Sequence, residues 1–325
     1  MDACFPKKLS TMYSAMAAVA IAGALPSVSS AHGFVGQRFF PATIATDDPF
    51  VADELSLPTF TSVRSNASED APAGRQTTVS VDFAKRITQN FGLEIGRARD
   101  RFSHGAGQPT VSGNENFEIA AKYQFYKNES TETLLSAGVV WEAGGTGSKA
   151  LADSFSTYTP TFYFGKGFGN LKQDLLRPIA VTGTLGVAIP GHASTTTVSF
   201  DPDSGLPVAQ VERNPHVLQL GLALEYSLPY LQSSVKDVGL GAPWNRMIPV
   251  IEIAAERPLD RVDDRRWTGT VNPGVLWAGR YVQLGLEAVV PINRASGRGV
   301  GVQAQLHFFI DDLFPRSFGQ PLLGS

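Results

Sequence analysis

The stretch Val282-Gln283-Leu284-Gly285-Leu286-Glu287-Ala288-Val289-Val290 decides how this chain reads, because an apolar side chain stands at every second position with Gln, Gly and Glu between. Successive side chains of a strand point to opposite faces, so one face here is continuous hydrocarbon and the other is small or polar. The pattern returns three times. Phe91, Leu93 and Ile95 alternate with Gly92, Glu94 and Gly96; Leu218, Leu220, Leu222 and Leu224 alternate with Gln219, Gly221, Ala223 and Glu225. Val300, Val302, Ala304, Leu306 and Phe308 alternate with Gly301, Gln303, Gln305 and His307. A soluble sandwich would bury the apolar face and expose Lys, Thr and Glu on the other. A second face of Gly, Ala, Gln and Glu suits the interior of a barrel whose hydrocarbon exterior meets lipid.

Clusters of Gly, Asn, Ser, Asp and Pro punctuate the rest of the chain. They predict strands at about 57–64, 77–87, 91–98, 116–126, 131–142, 156–168, 178–190, 216–226, 247–256, 268–277, 281–290 and 299–309. The fold class is therefore all-β, an antiparallel transmembrane barrel of about twelve strands within an even range of ten to fourteen. Long and short connections alternate through the first half, as outer loops and periplasmic turns do, and the connection 227–246 is long where a short turn is expected. Pro160, Pro249 and Pro273 fall inside expected strands, where they have no N–H to donate, and the first strand is poorly patterned. Tyr123, Phe125, Tyr126, Trp141, Tyr158, Trp267, Trp277, Tyr281, Phe308 and Phe309 lie near strand ends, where interfacial girdles would place them.

The N-terminus reads as an export signal. Lys7 and Lys8 precede an apolar run from Met12 to Leu25, then Pro26 and Ser29-Ser30-Ala31, so cleavage is expected after Ala31 with a mature chain starting at His32. The single cysteine, Cys4, lies in the removed part, which leaves no disulfide or cysteine metal site. No later stretch approaches the roughly 20 apolar residues of a spanning helix, so a membrane role has to come from strands. A formal net charge of −3 argues against nucleic acid as a partner. Residues 32–56 read as a leader or a plug: Asp48 before Pro49 suggests the capped start of a short helix, and the acidic stretch Asp47 to Glu54 could meet basic wall residues. The expected organisation is a signal peptide 1–31, leader or plug 32–56, barrel 57–309 and a periplasmic tail 310–325.

With its signal peptide, its length and the terminal strand Gly299 to Phe309, the chain resembles the proteobacterial outer-membrane barrels named as transporters for the meta-pathway of phenol degradation. That resemblance implies outer-membrane lipid and the barrel assembly machinery as partners. Barrels of this kind end on an aromatic residue, whereas here Phe308 and Phe309 are followed by a tail that begins Ile310-Asp311-Asp312.

Candidate chemistry is confined to a pore wall. The inward phase would carry Glu94, Glu225, Glu252, Glu256 and Glu287, with Arg86, Arg257 and Arg280 near strand ends; such charges either select a small-molecule permeant or brace the barrel. His32, as a mature N-terminus, offers an amine and an imidazole to copper, but His104, His192, His216 and His307 stand at no ligand spacing. A secreted or periplasmic β-sandwich binding a ligand or copper through His32 is the alternative reading. Ser103 and His104 are neighbours, which rarely makes a nucleophile and base, and Gly-x-Ser-x-Gly is absent. The chain reads as a passive channel without catalysis, metal or cofactor.

Overall fold

The alternating segments form strands that close on themselves. The computed structural model describes residues 33–65, 73–104, 109–200 and 207–323, all within the unit His32–Ser325. The expected signal peptide 1–31, its cleavage site and His32 lie outside the described residues.

Two short strands, β1 (Phe34–Val35) and β2 (Arg38–Phe39), pair as a hairpin ahead of the barrel. The barrel begins with β3 (Glu54–Ser65), β4 (Gly74–Arg86), β5 (Phe91–His104), β6 (Val111–Asn128), β7 (Thr133–Ala143), β8 (Thr157–Gly167) and β9 (Ile179–Pro190). A separate hairpin, β10 (Ser194–Phe200) and β11 (Pro207–Arg213), interrupts it. The barrel resumes with β12 (Val217–Tyr226), β13 (Met247–Pro258), β14 (Thr268–Ala278), β15 (Val282–Pro291) and β16 (Gly301–Phe309). Among the described residues twelve strands close into one antiparallel barrel, β12 pairing with β9 and β16 with β3. A closed barrel excludes the β-sandwich alternative. The connections after β4, β6, β8, β12 and β14 share one end, the turn end, with Glu54 and Phe309; those after β3, β5, β7, β9, β13 and β15 share the loop end.

Where the observed strands depart from the sequence reading, the causes are local. β3 starts at Glu54, inside the expected leader, and its register on β4 shifts between Ser56 and Thr59; the bulge changes which side chains face in and blurs the pattern. The prolines sit where their missing N–H does no harm. Pairing of β8 with β9 skips from Tyr158 to Thr161, passing Pro160, and pairing of β14 with β15 skips from Val271 to Gly274, passing Pro273. Pro249 lies just beyond the last β12 partner, Val250. The expected helix at Asp48 does not form. Asp48 Oδ1 instead accepts from Phe50 N at 2.9 Å, a local turn that leaves the neighbouring backbone free to bond to the wall. The long connection 227–246 contains the helical turns Leu228–Tyr230, Leu231–Val235 and Trp244–Arg246.

Burial is inverted relative to a soluble protein. Leu222, Leu284 and Leu286 are 40%, 50% and 55% exposed, whereas Glu225, Glu252 and Glu287 are at most 1% exposed. Trp141 and Tyr158 stack on the outer face near the loop end, and Tyr123, Phe125 and Tyr126 are exposed near the turn end. Phe308 carries the outward phase of β16 while Phe309 points inward, buried against Phe39 and His307. After β16 a helical turn, Ile310–Leu313, leads the tail back to the turn end, where Leu322 and Leu323 donate to the carbonyls of Arg86 and Ile87.

Candidate functional site

The inner face of the barrel is built of small residues, and the segment 33–53 fills the room they leave. A side chain added at Gly221 would lie 2.9 Å from Thr46 Cγ2, one at Gly165 would lie 3.1 Å from Pro49 Cγ, and one at Gly285 would strike Ile44. The wall then holds this segment by its backbone. Glu252 accepts from the N–H groups of Ile44 (2.8 Å), Ala45 (2.9 Å) and Thr46 (2.8 Å) and from Thr46 Oγ1 (3.0 Å), the arrangement by which a carboxylate satisfies a tight turn. Gln283 Nε2 donates to Ala42 O at 2.6 Å, and Ser136 Oγ donates to Pro49 O. Lys122 reaches from β6 to Asp47 Oδ1 (2.9 Å) and Asp48 O (2.8 Å), with its ammonium 4.7 Å from the Tyr163 ring centroid. Phe40 and Phe50 pack with Val35, Leu134 and Ala180, so the segment also has an apolar footing.

At the turn end the segment is tied down by ions. Arg38 has no exposed surface; its Nε donates to Glu132 Oε2 at 3.2 Å, its amines donate to the carbonyls of Pro178 and Arg177, and its guanidinium lies 3.6 Å from the Tyr230 ring centroid. Tyr230 donates its hydroxyl to Glu132 Oε1 at 2.7 Å, and burial together with this bond pushes the phenol above its ordinary range. Glu132 adopts a left-handed φ of 48° in the turn after β6, a conformation that costs about 1 kcal/mol and is held by these partners. Across the mouth Asp53 pairs with Lys85 (2.9 Å) and Arg86 (3.0 Å).

The anticipated wall charges divide accordingly. Glu94, Glu225, Glu252 and Glu287 face inward; Glu225 and Glu287 are buried and Gln303 donates to Glu287 at 2.7 Å. Glu256 lines an open part of the lumen. Arg86 shares the inward phase but sits at the turn-end mouth on Asp53, where it ties leader to barrel. Arg257 and Arg280 do not line the lumen. Arg257 stands opposite Leu218 on the outward face and donates to Arg265 O, and Arg280 lies in the turn after β14 near the ring of Tyr281. Sequence reasoning passed over Lys122 and Glu118, both in the inward phase of β6 and thus readable, and Arg38 and Glu132, whose contact spans 94 residues. Among the described residues no group of three or more His, Cys, Asp or Glu could hold a metal ion.

Two cavities remain beside the segment. One, of about 330 Å³, lies toward the turn end, with Asp82, Glu94, Glu118, Lys122 and His307 in its wall. The other, of about 670 Å³, lies toward the loop end and is lined by threonines, Tyr163, Glu142 and Glu256. Ala45, Thr46, Asp47 and Glu118 line both, so the two cavities are neighbours along the flank of the segment. By structure the chain is similar to an outer membrane channel from Pseudomonas putida F1, with 13% identity, 83% of this chain and 99% of that one covered, and a TM-score of 0.54. The fold is that of an outer-membrane β-barrel. A looser similarity, to the KdgM porin, has 12% identity, 78% and 98% coverage and a TM-score of 0.42. No family profile and no curated protein matches the sequence.

Proposed function

We propose that this chain is an outer-membrane channel for passive passage of small molecules, its lumen narrowed by its own residues 33–53. The observation that carries the reading is the pair of neighbouring cavities, both walled by Asp47 and Glu118, inside a closed barrel with an apolar exterior. The fold resembles that of a protein described as a channel, and the wall bears side chains that hold a segment in place inside the barrel. In this reading a signal peptide exports the chain, the turn end lies in the periplasm with the loops outside, and the assembly machinery reads the last strand through outward Phe308. The relation to the transporters named for the meta-pathway of phenol degradation belongs to the same reading and is supported by barrel size and the terminal strand. Carboxylates outnumber amines along the open flank, and such a wall favours cations and neutral solutes over anions.

Fractionation of cells expressing the full chain tests this directly. The protein should sit in the outer membrane, migrate differently on a gel with and without boiling in SDS, and make liposomes permeable to small sugars. A soluble periplasmic protein with no shift on boiling would end the channel reading.

A further inference from the structure

Outside the lumen, one patch of the barrel exterior breaks the apolar band. The register of β3, β4 and β5 puts Arg64 directly opposite Arg75, Thr77 opposite Arg101, Val79 opposite Arg99 and Val81 opposite Arg97. Val79 and Val81 are 43% and 38% exposed on the lipid face, so the five arginines that share their phase point outward as well. They stand at the loop-end margin of the band, above exposed Leu93 and Ile95 on β5.

Their hydrogen-bond partners among the described residues are neutral. Arg75 donates to Ser62 Oγ at 2.8 Å, Arg99 to Asn114 Oδ1 at 3.3 Å and Arg97 to the carbonyls of Glu115 and Thr146, with Arg97 also 4.2 Å from the Phe117 ring centroid. Asp100, between Arg99 and Arg101 in sequence, turns inward and accepts from Gln76 and Thr78. Among the described residues none of the five forms an ion pair with a carboxylate. Like charges placed directly opposite on neighbouring strands repel, so Arg64 and Arg75 raise the energy of the bare barrel unless an anion lies between them. A guanidinium fork matches two phosphate oxygens at once, and phosphates stand at this depth in a lipid leaflet.

We infer that Arg64, Arg75, Arg97, Arg99 and Arg101 form a docking surface for the phosphate groups of an anionic glycolipid in the outer leaflet, acyl chains lying on Val79, Val81 and Ile95. Commitment to a lipid follows from continuity with the apolar band: a free anion would leave those side chains uncovered, and a protein partner would have to sit in the membrane plane. The inference rests on the orientation given above, loops outward, and does not depend on conduction.

The test is native mass spectrometry of the detergent-purified protein titrated with lipid A, with dephosphorylated lipid A and with inorganic phosphate. Wild type should retain lipid A, and the variant Arg75→Gln/Arg99→Gln/Arg101→Gln should retain it at least about tenfold more weakly, a loss of about 1.4 kcal/mol or more. The three side chains are exposed on the barrel exterior, and an unchanged shift on boiling in SDS certifies the variant barrel. Equal retention by both proteins, equal retention of the dephosphorylated lipid, or displacement of lipid by millimolar phosphate would each overturn the proposal. Failure here leaves the channel reading standing, because conductance and lipid retention are separate measurements.

Discussion

Arg38 is the side chain on which the internal segment turns. It is fully buried, shares Glu132 with Tyr230 and gives its other donors to two carbonyls, so every charge in the cluster is matched. Removing one partner of a buried pair costs about 3–5 kcal/mol, because the other charge is left behind. Arg38→Ala should lower stability by that order in urea titrations of the lipid-reconstituted protein, and the further change Glu132→Gln should restore part of it. At the loop end a weaker contact carries a pH signature. Asp260 accepts from the backbone N–H of His216 at 2.8 Å and contacts its ring at 2.7 Å, and these bonds, the backbone one first, hold its carboxyl below the ordinary range. A depressed folded value means that the stabilisation is complete above the unfolded value near 3.9 and is lost as pH falls through the lower folded one. The protection factor of the His216 amide should therefore drop as pH falls below about 4. In Asp260→Asn it should be lower at neutral pH and show no acid step. Of these residues Lys122 was legible, since it occupies the inward phase of a predicted strand. Arg38 and Glu132 were not, because no periodicity connects a leader residue to a turn so far along the chain.

At the scale of elements, alternation was a sound guide wherever a strand is regular. The segments at 91–98, 216–226 and 281–290 fall within β5, β12 and β15 or within a residue of their ends. It misled where a bulge changes phase, as in β3, and it missed β10 and β11, whose Thr and Val have strand propensity but no alternation to set a face. The supposed helix at Asp48 misread a short turn whose backbone serves the wall. The outward assignment has its own test. Leu286, 55% exposed, faces lipid, and Leu286→Arg should destabilise the reconstituted barrel by about 2–4 kcal/mol. Arg introduced at exposed Asp264 in the loop after β13 should change stability by less than about 0.5 kcal/mol. Equal effects at the two sites would place β15 away from the bilayer.

For the whole molecule, closure and occupation of the lumen go together. Twelve strands enclose more space than inward side chains made of Gly, Ala and Thr can fill, and the leader supplies the missing volume along with an apolar footing at Phe40 and Phe50. The sequence made the barrel legible through its two faces and gave a hint of the internal segment through its acids. It could not say which wall residues would hold that segment, since Glu252 looks like any other inward glutamate until its three amide partners are seen. Beside the segment two cavities remain, with Asp47 and Glu118 in the walls of both. Single-channel recording in planar bilayers tests this account most directly, comparing the full-length mature chain with one lacking residues 33–50. The account predicts small, steady steps for the full chain, with reversal potentials in a salt gradient shifted toward the cation, and clearly larger steps once the segment is gone. Recordings with no steps from either protein, both verified as folded by their shift on boiling, would contradict it.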